Sequence, residues 1–215
     1  MNLDLFVDTS RKGISMGLFS TDESAPRYIE TVDEAARGET ASAILDSLLS
    51  KVNATLDQVT RVMVTVGPGS FSGLRTGVAF CQGLCFSGKR KLYGVSTLQA
   101  LECFAKAGET SSTETAVIIR ARKDYWYLRL NNKESFIETA QVVDALKGST
   151  VQSIVVDEPA ATDETLQAAF KAIGAKTILD KGKPLSDWEM LFDTVKPSLI
   201  QEANYIQPSY FEKLH

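Results

Sequence analysis

The stretch Val66–Arg75, VGPGSFSGLR, places three glycines and a proline in one short loop. Such a loop lets backbone approach either a phosphate or another protein surface. A Walker loop needs Lys and Ser/Thr after its second glycine, but Leu74 and Arg75 follow Gly73, and the position five after Gly67 is Ser72. A dinucleotide fingerprint needs glycine at that same position, and the strand expected at 92–95 lacks the acid that would hold a ribose. Two readings stay open: anion binding at a helix N-terminus with Ser70, Ser72 and Arg75 at hand, or close packing. Asp8, Thr9 and Ser10 offer a carboxylate, hydroxyls and amides, and are the candidates for cofactor binding; the plainer reading is a turn capped by Asp8. No catalytic set can be drawn. The sole histidine is His215, so neither a Ser-His-Asp triad nor a histidine-pair metal site is expected. Cys81, Cys85 and Cys103 are odd in number and lack framework spacing, which reads as reduced, structural thiols.

These residues need elements to hold them. LDLFVD, ISMGLFS and RYIETV read as a three-stranded antiparallel meander. A helix follows, with Ala43, Ile44, Ser47, Leu48 and Lys51 on one face, and then RVMVTV, apolar throughout as a strand buried on both faces. The loop leads into a helix over about 72–87. Its face of Gly73, Gly77, Cys81 and Cys85 carries only small side chains, suited to burial under its own lobe or against a second subunit. A strand KLYGVS and a helix from Thr97 complete the set. After a polar linker, ETSSTE, the order restarts: TAVIIRA, YWYLRL and ESFIET as strands, then helix 140–147, strand QSIVVD, helix DETLQAAFKAIG, strand TILD and helix LSDWEMLFDTV. Three antiparallel strands followed by alternating helices and strands thus occur twice. This predicts an α/β chain of two lobes, 1–108 and 109–215, on the actin/hexokinase-like (ASKHA, RNase H-like) plan.

Net charge is −4, against nucleic-acid binding through the overall field. MNLDLFVDTS has acids where a secretory peptide would be apolar. The uncharged run 76–88 is too short to span a bilayer. A cytoplasmic protein without a membrane partner is expected.

GPGSFSGLRTGVAFCQGL with GVSTLQAL resembles the hallmark stretch of the TsaB (YeaZ) family, and VDTS, IIRARKDYWYL and QPSYFEK resemble its opening, its second-lobe strand pair and its ending. The resemblance implies a non-catalytic scaffold subunit. Its expected partners are the catalytic subunit TsaD, the ATPase TsaE and, as a homodimer, itself. Together with TsaD and TsaE it would act in forming threonylcarbamoyladenosine at position 37 of tRNA, which it would meet indirectly through the complex. Pairing through the N-terminal lobe makes Ser70, Phe71, Gly73, Leu74, Gly77, Val78, Cys81 and Leu84 the expected interface. No tightly bound cofactor is expected, and ATP or ADP only at a partner interface. Arg120 stands where the family commonly has Asp, and a cation there cannot bind a metal. The alternative is an autonomous ATP-binding enzyme of the same superfamily, which would need that second-lobe acid and an adenosine loop.

Overall fold

Runs too apolar to face water on either side form the centre of each sheet. The computed structural model describes residues 2–20, 28–32, 37–107, 114–180 and 189–207. Most of the expected linker, Trp188, the ending beyond Gln207 and His215 lie outside these residues.

The first sheet comprises β1 (Leu3–Asp8), β2 (Ile14–Ser20), β3 (Tyr28–Val32), β4 (Val59–Gly67) and β5 (Lys91–Ser96), in the order β3-β2-β1-β4-β5. The first three pair antiparallel, and β4 and β5 add parallel to β1. Between β3 and β4 runs α1 (Gly38–Lys51). Its buried stripe is Ala41, Ile44, Leu45, Leu48 and Leu49, shifted from the expected one; Ala43 and Lys51 face water. Ile44, Leu45 and Leu48 pack on Leu3, Leu5 and Val7 of β1 together with Val78, Cys81 and Cys85 of α2 (Phe71–Cys85). α2 starts where the sequence stops offering β-branched residues, and Ser70 caps it by accepting the Gly73 N–H at 3.3 Å.

The second sheet repeats the plan. β6 (Thr115–Arg122), β7 (Tyr125–Leu130) and β8 (Lys133–Glu138) are antiparallel neighbours. Then β9 (Ser153–Val156) and β10 (Lys176–Leu179) extend the sheet parallel to β6, giving β10-β9-β6-β7-β8. One face is covered by α4 (Thr139–Lys147), the short α5 (Glu158–Thr162) that the sequence reading missed, and α6 (Glu164–Ile173). Asp157 and Asp163 cap α5 and α6, and Gly174, at φ +69, ends α6. On the other face α3 (Thr97–Ala107) sets Leu98 and Leu101 on Val117, Ile119 and Tyr127.

The chain divides into Met1–Thr97 with Pro184–Asn204, and Leu98–Lys183 with Tyr205–His215. The boundary expected at 108 therefore moves ahead of α3, whose leucines belong to the second core. The chain also returns to the first unit. There Ser198 N–H donates to Leu92 O and Asn204 N–H to Val66 O, and Phe192 meets Tyr93 edge-on with ring centroids 5.0 Å apart. Arg61 lies over the Phe192 ring at 4.2 Å while its guanidinium is forked onto the buried Asp4.

Candidate functional site

β1 ends on Asp8, which is buried with Thr9 and Ser10. Oδ1 accepts the Ser10 N–H (2.9 Å), the Ser10 hydroxyl (2.6 Å) and the Thr65 hydroxyl (2.8 Å), and Oδ2 accepts Arg11 Nη2 (3.2 Å). Burial alone would raise this carboxyl, but Arg11 and the three donors outweigh it and hold it below its ordinary value. The arrangement fixes the β1–β2 turn. The Thr9 hydroxyl oxygen is buried without a hydrogen-bond partner.

What the glycine loop approaches is this same turn. A Cβ on Gly69 would collide with the Ser10 carbonyl, one on Gly73 with the Thr9 carbonyl, and one on Gly77 with the Thr9 side chain; the Ser70 N–H donates to Ser10 O. Gly67, at φ +115, faces the Asn204 carbonyl instead. The small-residue face of α2 is thus filled by its own unit, which corrects part of the expected interface: Gly73, Leu74, Gly77, Val78 and Cys81 are buried within the chain. Burial, and secondarily the neighbouring Cys85, push the Cys81 thiol up; burial likewise raises Cys85, to about 11. Of the expected interface residues, Ser70 and Phe71 are exposed and Leu84 half-buried. The outward side of α2 carries Phe71 (54% exposed) under the Arg75 guanidinium at 4.0 Å, with Ala79 and, just past the helix, Phe86 (80% exposed). Phe86, the most exposed of the large apolar side chains among the described residues, was not among the expected interface residues. Arg90 is buried and donates to the Leu56 and Leu84 carbonyls.

In the second unit the position matching the end of β1 is the end of β6. Arg120 N–H donates to Asp157 Oδ2 (2.7 Å), and its guanidinium lies over Trp126 at 4.1 Å. Trp126 is core, its indole N–H donating to the Thr139 hydroxyl. Burial raises the Asp157 carboxyl, against the Arg120 and Ala160 amides that bind it. Among the described residues no three His, Cys, Asp or Glu side chains are placed to hold a metal ion, and no helix is long and apolar enough to cross a membrane.

A family model described as "TsaD: tRNA N6-adenosine threonylcarbamoyltransferase" matches residues 34–177. The tRNA threonylcarbamoyladenosine biosynthesis protein TsaB of Haemophilus influenzae is 29% identical over 97 residues, 45% of this chain but 40% of that protein. The protein of the same name from Buchnera aphidicola is 27% identical over 167 residues, 72% of this chain and 77% of the relative. Among solved structures, an uncharacterised Pseudomonas aeruginosa protein with similarity to peptidase YEAZ superposes with TM-score 0.70 over 96% of this chain and all of that one. At 18% identity that likeness establishes the fold.

Proposed function

Since the chain belongs to the TsaD family and, within it, to the TsaB/YeaZ group, we propose that it serves tRNA threonylcarbamoyladenosine biosynthesis as a non-catalytic subunit pairing with a TsaD-type catalytic chain. The observation that carries the partner reading is the outward side of α2, where Phe71, under Arg75, and Phe86 are both exposed and Ala79 lies on the same side. Large exposed aromatics next to a small residue suit a protein interface, and the same side would serve self-pairing when the catalytic chain is absent. The non-catalytic reading is supported by Asp8, whose oxygens are engaged by its own turn, and by the cation Arg120 at the matching place in the second unit. No tightly held cofactor is proposed, and ATP or ADP only at the partner interface. TsaE would join through the complex, and the setting would be the cytoplasm.

The test is depletion of the chain in its native host with threonylcarbamoyladenosine in tRNA measured by mass spectrometry. A loss restored by the wild-type gene is expected, with the catalytic chain co-purifying. Truncating an aromatic anchor costs about 2 kcal/mol or more, roughly 30-fold in affinity, so Phe86→Ser should weaken capture without lowering the melting temperature. Unchanged modification would refute the role. ATP turnover by the purified chain that vanishes in Asp8→Ala would replace it with the autonomous-enzyme reading.

A further inference from the structure

The end of the β6–β7 hairpin carries Arg120, Arg122, Lys123 and Asp124, with the turn itself at Lys123–Asp124. Regular alternation would put Arg120 and Arg122 on one side of the sheet. A register shift between them prevents this: Arg120 pairs with Trp126 and Arg122 with Tyr125, successive residues of β7 that point to opposite faces. Each guanidinium then lies on aromatic rings of its own face. Arg120 sits over Trp126 at 4.1 Å; Arg122 sits over Tyr125 at 4.3 Å and Phe136 at 5.3 Å, the two rings being stacked 4.8 Å apart.

Among the described residues neither arginine forms an ion pair with a carboxylate, and the Nε of each is buried without a hydrogen-bond partner. The neighbouring acids are otherwise engaged. Glu138 accepts the Tyr125 hydroxyl at 2.6 Å, and Asp157 accepts the backbone N–H groups of Arg120 and Ala160. Asp124 at the turn is exposed and offsets the exposed Lys123. The Arg120 charge acts on the Asp157 carboxyl without a direct ion pair, and Arg122 faces the Tyr125 hydroxyl. The hairpin end thus keeps a positive charge that is only partly offset. Stacking on a ring costs a guanidinium none of its in-plane N–H donors, and the aromatic shelf pre-orders the side chain.

We propose that this hairpin end is a phosphate-contacting surface for RNA, with Arg120 and Arg122 gripping phosphates on the two sides of the ribbon and Lys123 at its tip. A fork of planar donors matches phosphate oxygens. The inference deepens the functional reading above and rests on it for the choice of RNA: the chain would contact tRNA directly, not only through its partner.

The experiment measures binding of the full chain to a fluorescently labelled, unmodified tRNA transcript between 50 and 200 mM salt. Each phosphate contact contributes about one unit to the slope of log affinity against log salt. Arg120→Gln, Arg122→Gln and Lys123→Gln should each flatten that slope by about one unit, and Arg122→Lys should keep it. Lys123→Gln changes an exposed turn residue and cannot act by unfolding the hairpin; thermal melts check the arginine variants. Absence of tRNA binding by the wild-type chain, or unchanged slopes in all three Gln variants, overturns the inference. So does loss of binding to a polyglutamate peptide with tRNA binding intact, which would assign the surface to an acidic protein. If the depleted host regains full modification with the triple Gln variant and its tRNA affinity is unaltered, this inference falls while the functional reading stands. If tRNA binding depends on the hairpin but depletion leaves modification untouched, the functional reading falls instead.

Discussion

Asp8 shows how a residue type that suggests chemistry can be consumed by architecture. Its four acceptances tie the end of β1 to the β1–β2 turn and to β4 through Thr65. Asp8→Ala would strand the buried Ser10 and Thr65 donors, at about 1–3 kcal/mol for each unsatisfied group. Thermal unfolding of the variant should show a loss of about 3 kcal/mol. The acid limb follows from the sign of the shift. The folded carboxyl titrates below its ordinary 3.8, so its stabilisation is complete above about pH 4 and is lost as pH falls through the folded value. The wild-type protein should therefore lose part of its advantage over Asp8→Ala as pH drops from 5 to 3. A constant difference in melting temperature across that range would contradict the assignment.

At the scale of the element, α2 has one side buried in its own unit and one side exposed, to which the pairing role is proposed. Gly77 lies against Thr9, so Gly77→Leu overpacks the first unit and should cost at least about 1–3 kcal/mol of folding stability. The remaining folded fraction should still pair. Phe86→Ser, on the opposite side, should behave the other way round. Sedimentation of both variants beside their melts separates burial from pairing; a stable Gly77→Leu protein that fails to pair would return the small face to the interface. Much of α2 was legible beforehand: its start and its row of small residues. What those residues touch was not, because a glycine row fits any close neighbour, and the neighbour is a turn some 60 positions earlier in the chain.

For the whole molecule, the doubled order of three antiparallel strands followed by alternating helices and strands was readable from periodicity, since each element's period is written in its own residues. The unit boundary was not. Helix α3 follows β5 directly, yet its leucines complete the second core, and residues 189–204 return to lace β4 and β5. A fragment ending at 183 should lose Phe192 from Tyr93 and Arg61 and uncover the β5 edge, a site for aggregation. It should be insoluble, or melt well below the full chain by differential scanning fluorimetry. A soluble fragment with an unaltered first transition would show that the return segment is dispensable.

The sequence by itself determined the local order of strands and helices, the scarcity of histidine, and the signature around Gly67–Gly77 that identifies the family, because all of these are carried by neighbouring residues. The tertiary structure decided which carboxylate was already engaged, which side of α2 was left in water, and on which faces Arg120 and Arg122 lie. Those outcomes depend on contacts between segments distant in the chain, and on a single register shift in β6 that no local pattern encodes.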